Sequence, residues 1–323
     1  MAKRDWTMTA KQQHVFENLM TQVEKHLDYK KHHQGYRGTE RYIEGVRSFA
    51  KHLAIHYQSK NFKNISDKHV KSFIQESQKS GIAPATLKTE LSAIRKFHGI
   101  YPGTRNQLSD NKELDYTDKR VRVGVDRAWN QSEFQKAVSL ANMTGRQDVV
   151  WSLQLARYAG LRIEEVTALT KSQLRNSLET GYLSLKVTKG GIARDIPLTN
   201  PIKPIIRDIF ERSDRDRIFV QHGTAHHQAF KSIQNWIYNH RNTFQEAWKE
   251  DQDSKYQAQL KIDYQRANLT AHGLRHSYAR EQYQERIDQG MDPQEARKEV
   301  AVLLGHGRDS VTRIYLGRDN DDD

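Results

Sequence analysis

Tyr182-Leu-Ser-Leu-Lys-Val-Thr188, followed by Lys189-Gly190-Gly191 and then Ile192-Ala-Arg-Asp-Ile-Pro-Leu198, is the stretch that sets the fold class. Apolar and polar residues alternate on both sides of the glycine pair, as in strands with one buried face, and the glycines supply a turn. Residues 182–198 therefore read as a β-hairpin. Working outward, almost everything else follows a helical period. Val15, Phe16, Leu19, Met20, Val23 and Leu27 predict a helix over 9–30, and similar patterns fall at 40–57, 66–79 (Ser66 as N-cap) and 85–98. Beyond the midpoint, helices are expected at 131–142 and 146–159, the latter stopped by Gly160. A further short helix precedes the hairpin, a long polar helical stretch covers 226–265, and Asp292, Pro293 and Glu295 open a helix at 293–304 that Gly305 ends. The chain is mainly α with one small β-hairpin.

The 323 residues suffice for two domains. The helical pattern breaks between Gly99 and Val125, which divides the chain into a 1–36 helix or extension, a 37–105 helical domain, a 106–127 linker and a 128–323 domain. Of the formal net charge of +12, most falls in residues 1–130, with 24 Lys and Arg against 14 Asp and Glu. A field of that sign favours a polyanion, and nucleic acid is the common one. The absence of cysteine excludes thiol nucleophiles, disulfides and thiolate metal sites. No window is apolar enough to read as a membrane span or a signal-peptide core, so a cytoplasmic protein without membrane contact is expected.

Four separated motifs carry the chemistry. They are Ala-Gly-Leu-Arg-Ile-Glu-Glu-Val at 159–166, with Arg162 and Glu165; the hairpin, with Lys189; His272-Gly-Leu-Arg275-His276-Ser; and Leu304-Gly-His306 with Tyr315 nine residues later. Each has a plain alternative reading. Arg162 suits a surface charge, Lys189 a solvated turn, His272 and Arg275 a structural pair on one helix face, Gly305-His306 a helix cap, and Tyr315 a core aromatic among 14 tyrosines. Conjunction separates the readings, because all four occur once, in order, each in the local structure it needs. Together they resemble the active-site boxes of the tyrosine recombinases, which include phage integrases and bacterial resolvases of chromosome dimers. Residues 83–101 are more weakly similar to the last major helix of that family's core-binding domain.

The resemblance implies a helical SAM-like core-binding domain and an α+β catalytic domain closing on duplex DNA as a C-shaped clamp. It implies catalysis by Arg162, Lys189, His272, Arg275, His306 and Tyr315, supported by Glu165 and His276, with no cofactor and no metal. Lys88, Arg95 and Lys96 would contact DNA, although a solvated charged face explains them almost as well. Partners would be double-stranded core sites with inverted half-sites, three further copies of the chain in a tetramer, and in some systems a DNA-bending or directionality protein. The protein would then work at the nucleoid, on mobile DNA or on chromosome dimers.

The residue types suit this chemistry. A phosphodiester repels nucleophiles, so the pentacoordinate state with its charged equatorial oxygens needs fixed cationic donors. Guanidinium stays charged and forks onto two oxygens. A phenol attacks poorly until its proton leaves, which the resemblance gives to His272; Lys189 would protonate the departing 5′ oxygen and His306 would donate to a non-bridging oxygen. A 3′-phosphotyrosyl link conserves the bond energy, so resealing needs no ATP. His222, His226 and His227 lack a His-Glu-x-x-His carboxylate and read as a solvated polar helix rather than a zinc site.

The chain departs from the family in three respects. Only eight residues follow Tyr315, leaving open how protomers couple; the 228–270 stretch, with Trp236, Tyr238, Phe244 and Trp248, is longer and more polar than expected; and residues 1–36 hold little more than one helix, which favours simple core sites. The rival readings are a type IB topoisomerase and a non-catalytic DNA-binding regulator of the same fold.

Overall fold

The computed structural model describes residues 4–27, 36–119, 125–185, 193–246, 265–266, 268–306 and 309–316. They form two compact units, Met1–Val121 and Arg122–Asp323.

The first unit is all helical: α1 (Ala10–His26), α2 (Tyr36–His56), α3 (Asp67–Lys79) and α4 (Pro84–Ile100). Thr9 and Gln12 form a capping box at α1, and at α3 the Ser66 amide donates to His69 Nδ1 at 3.2 Å. Leu19 and Val23 of α1 are buried with Val46, Phe49 and Leu53 of α2, Phe73 of α3, and Leu87, Leu91 and Phe97 of α4. The N-terminal helix thus shares the core of this unit, where the sequence suggested a separate extension. Leu114 and Tyr116 join the same core, so part of the segment that reads as a linker is packed. The sequence hid this because two apolar residues in a polar stretch carry no period. Ahead of α1, the buried Arg4 donates to both carboxylate oxygens of Glu90 (3.0 and 2.6 Å) and twice to Ser77 Oγ (3.1 and 2.8 Å), tying α3 to α4.

In the second unit, α5 (Gln131–Met143) and α6 (Gln147–Tyr158) are followed by α7 (Ile163–Thr167), α8 (Lys171–Thr180), the hairpin, α9 (Ile202–Arg212) and α10 (His226–Phe244). In the hairpin, β2 (Tyr182–Leu185) pairs antiparallel with β3 (Arg194–Pro197), Leu183 opposite Ile196 and Leu185 opposite Arg194. The turn between them, with Lys189, lies outside the described residues, as does Trp248. Two two-residue strands, β1 (Val125–Asp126) and β4 (Gln265–Arg266), pair in parallel. The chain ends in α11 (Ala271–Asp288), α12 (Pro293–Leu303) and α13 (Asp309–Leu316). Asp292 caps α12, accepting from the Gln294 and Glu295 amides at 2.8 and 3.2 Å. One core joins α5 to α10 through Val149, Leu153, Val166, Leu174, Leu183, Ile206 and Ile233. A second, smaller cluster joins α11, α12 and α13 through Tyr278, Ala279, Tyr283, Ala296, Val300, Leu304 and Tyr315. No helix among the described residues is long and apolar enough to cross a membrane.

The first core also buries His52, whose Nε2 lies 3.1 Å from Ser72 Oγ and whose ring meets Phe49, His56 and Phe73. Burial, and then the charges of His56, Arg4 and His69, push its pKa down to about 3. Its folded pKa lies below the unfolded value, so its contribution is intact above about pH 6.5 and is lost as pH falls toward 3, because only the unfolded chain takes up the proton. The melting midpoint of wild type should therefore fall between pH 7 and pH 5, and more steeply than that of His52→Gln. Equal slopes for the two proteins would refute this account.

Candidate active site

The site grows from the end of α6. Gly160 follows the C-cap Ala159 with φ +61°, and a Cβ there would sit 2.4 Å from the Tyr278 ring. Only glycine allows both the left-handed turn and the contact. The chain then buries Leu161 and sets Arg162 as N-cap of α7. Glu165 reaches back one turn: its Oε2 accepts from the Arg162 amide and its Oε1 from Arg162 Nη1, both at 2.8 Å. The Arg162 side chain keeps 17% exposure, against 2% for Glu165.

Opposite lies the start of α11, where His272, Arg275 and His276 share a face by their spacing of three and four. That turn is pressed against the segment before α5. Ser277 Oγ accepts from Trp129 N at 2.8 Å and donates to Trp129 O at 2.9 Å, while Trp129 Nε1 donates to Thr270 O at 2.9 Å. Gly273 makes the approach possible, since a Cβ there would be 2.2 Å from the Arg127 carbonyl oxygen and 2.8 Å from the Trp129 ring.

Arg275 has no solvent exposure. Its Nη1 donates to Gly160 O and its Nη2 to Leu304 O, with Nη2 also 3.4 Å from His306 Nε2. Burial, then repulsion from Arg162, lowers its pKa to about 10, which leaves it charged at neutral pH. Its Nε is buried and has no partner among the described residues.

The end of α12 supplies the next group. Gly305 N donates to Val302 O (2.9 Å) and His306 N to Ala301 O (2.8 Å), a Schellman closure that turns His306 toward Arg275. His306 Nδ1 lies 3.2 Å from Thr312 Oγ1. Burial, then the charges of Arg275, Arg162 and Arg194, depress its pKa to about 3, so it is neutral at physiological pH. On α13, the Tyr315 hydroxyl lies 3.1 Å from His272 Nε2. The Tyr315 ring stacks on His276 (4.3 Å, 18°), meets His306 at 4.8 Å, and lies 5.9 Å from Arg275 Cζ. His276 is also neutral, pushed to about 3 first by burial and then by His272.

Arg162, Glu165, His272, Arg275, His276, His306 and Tyr315 thus form one connected set, whereas Lys189 lies outside the described residues. The sequence reading missed Arg194. This buried residue at the start of β3 forks onto Glu165, Nη1 to Oε1 at 2.9 Å and Nη2 to Oε2 at 2.7 Å. The signal was present: strand alternation points Arg194 inward with Ile196, and an inward arginine needs a carboxylate. Burial alone would raise the Glu165 pKa, but Arg194, the Arg162 amide and Arg275 together hold it below the usual carboxylate value. Thr312, the hydroxyl beside His306, was missed as well; nothing in its spacing marks it.

The residues expected to touch DNA in the first unit are differently placed. Arg95 Nε donates to Ser109 O and its Nη2 to Asn111 Oδ1, both at 2.7 Å, so its fork is largely occupied. Lys88 and Lys96 are half-buried, their ammonium groups 5.9 and 5.0 Å from the rings of Tyr116 and Tyr42. No group of three or more His, Asp or Glu able to hold a metal ion occurs among the described residues, and His226 Nε2 lies 2.9 Å from Thr167 Oγ1.

The phage integrase family model matches residues 130–321, and the phage integrase N-terminal SAM-like domain model matches residues 38–100. Tyrosine recombinase XerA of Pyrococcus horikoshii is 23% identical over 281 residues, covering 84% of both chains. XerA of Pyrococcus furiosus is 22% identical over 287 residues, covering 84% of this chain and 88% of its own. Among solved structures, a lambda integrase dimer bound to a core site matches with TM-score 0.64 and 16% identity, covering 94% of this chain and 97% of that one. The Tn1549 transposon integrase in complex with a circular intermediate DNA matches with TM-score 0.57 and 14% identity, covering 95% and 96%. These structural likenesses bear on the fold: mainly helical, with a small antiparallel hairpin.

The contact at Gly273 yields a stability prediction. Gly273→Ala should cost about 1–3 kcal/mol by overpacking against Arg127 and Trp129, read as a lower denaturant midpoint of the full chain. An unchanged midpoint would show that α11 does not depend on this approach.

Proposed function

We propose, on the premise that this chain belongs to the phage integrase family, that it is a site-specific tyrosine recombinase acting on duplex DNA with Tyr315 as its nucleophile. The observation that carries the assignment is the 3.1 Å contact between the Tyr315 hydroxyl and His272 Nε2, beside the buried charge of Arg275.

In this reading Arg162 and Arg275 meet the charge of the scissile phosphate. Arg162 is the partly exposed arm that meets the strand, and Arg275 is the fixed charge behind it. As the Tyr315 oxygen bonds to phosphorus, its proton passes to His272 Nε2 and the bond to the 5′ oxygen breaks. Lys189 gives the departing oxygen its proton. Charge gathering on the equatorial oxygens meets donors already in place, which is the main source of acceleration for such a transfer. His306, neutral at pH 7, contributes a hydrogen bond rather than a charge, its Nδ1 standing 3.2 Å from Thr312 Oγ1. His276 supports the Tyr315 ring by stacking. Attack by another 5′ hydroxyl on the phosphotyrosine reverses the sequence and exchanges strands.

Strand exchange joins two sites, so several copies of the chain act together, four in the simplest arrangement. One solved lambda integrase structure is a tetramer bound to a Holliday junction. The basic first unit, through Lys88 and Lys96 and to a lesser degree Arg95, would hold the flanking duplex chiefly by its phosphates.

A pool of nicked duplexes with a randomised core tests the assignment whatever the cognate sequence. Wild type should yield a detergent-resistant covalent adduct whose sequencing defines the site, and Tyr315→Phe should yield none. Arg162→Ala should slow adduct formation about 10²–10³-fold. An adduct that persists in Tyr315→Phe, or none with wild type, would overturn the assignment; relaxation of supercoiled DNA without joining of two sites would favour a topoisomerase.

A further inference from the structure

We propose that Arg194 is a positioning residue for strand cleavage, one that saturates Glu165 so that Arg162 keeps its exposed arm for the phosphate and Arg275 keeps its place behind it. This rests on the reading of those arginines given above, and extends it to a side chain with no role there.

A carboxylate offers about four lone-pair sites. At Glu165 all four are taken: Arg194 Nη1 and Arg162 Nη1 on Oε1, Arg194 Nη2 and the Arg162 amide on Oε2, at 2.7 to 2.9 Å. Arg275 Nη1 stands 3.9 Å from Oε2, close enough to feel the charge and too far for a hydrogen bond. The carboxylate is therefore full, and Arg275 is left to its two carbonyls and its unpartnered Nε. Without Arg194, one lone pair on each oxygen would be stranded in a site where Glu165 keeps 2% exposure. A buried anion in that condition recruits the nearest cation. The nearest cations are Arg162 and Arg275, the two groups the phosphate needs.

Placement supports the same role. Arg194 keeps only 5% side-chain exposure and both terminal nitrogens are committed to Glu165, so it shapes the site rather than touching DNA. A Cβ on Gly305 would lie 2.9 Å from Arg194 Nη1, so the side chain packs directly beneath the residue before His306. Standing at the first residue of β3, it joins the hairpin, the Arg162 turn and the His306 turn. Three guanidinium groups and one carboxylate leave a net charge of about +2, which matches the doubly charged pentacoordinate phosphate.

The test uses full-length protein and the nicked duplex recovered from the randomised pool, with single-turnover cleavage followed against DNA concentration. Arg194→Gln should cut the saturating cleavage rate about 100-fold, the scale of a small displacement of reacting groups, while half-saturating DNA changes little. Arg194→Lys, which keeps the charge but cannot span both oxygens, should fall between. The deciding variant is Arg194→Gln with Glu165→Gln, which removes the stranded anion. It should cleave at least about tenfold faster than Arg194→Gln alone, a coupling between contacting residues. If Arg194 served only as a structural tie, the double variant would be no faster than the single one, and that result overturns the proposal. Should Arg194→Gln fail to fold, Arg194→Lys with and without Glu165→Gln gives the same comparison. Wild-type cleavage by an Arg194→Gln protein that makes the normal adduct refutes the positioning role and leaves the Tyr315 chemistry standing. A wild type that forms no adduct refutes both.

Discussion

A single guanidinium, on Arg275, organises the second unit. It has no exposure, and its two terminal nitrogens close the C-terminal ends of two helices, α6 through Gly160 O and α12 through Leu304 O. Each helix end presents unsatisfied carbonyls and the negative pole of its dipole, so the charge is solvated by peptide in place of water. The same constraint requires Gly160 and Gly305 where the two chains turn, and it brings the Arg162 turn and His306 to one place. Burial lowers the pKa of Arg275 to about 10, and burial together with repulsion holds His306 neutral. The site therefore keeps a permanent charge beside an uncharged ring at physiological pH.

Charge and neutrality divide between residue types for a physical reason. Guanidinium resists deprotonation even when buried, whereas imidazole buried among arginines cannot stay protonated. Arg162, Arg194 and Arg275 thus carry the field, and His276 and His306 carry shape and hydrogen bonds. Glu165 is the counterweight. It disperses the mutual repulsion of three cations over one carboxylate and holds Arg162 at the edge, the only one of the three with appreciable exposure.

Much of this was legible in the residues. The hairpin showed in alternation on either side of the glycine pair, and the described strands pair antiparallel with Leu183 opposite Ile196. The helix at 293–304 showed in Asp292 and Pro293. Local signals failed where partners are distant in sequence. The inward-facing Arg194 meets Glu165 29 positions earlier, and only the fold reveals that pairing. Arg95 looked like an exposed cation on a helix face, yet the 109–111 segment returns to occupy its donors. The N-terminal helix and the residues around Leu114 likewise belong to the first core through contacts that no local period encodes.

The small cluster beneath Tyr315 has a consequence of its own. Ala296, Val300 and Leu304 with Tyr278 and Tyr283 support the phenol, separately from the larger core that gives this unit most of its buried surface. Because Tyr278 also packs on Gly160 and the Leu304 carbonyl holds Arg275, a change of volume in those few positions would disturb the phenol and the buried guanidinium together, so this corner of the unit tolerates only swaps that keep its shape.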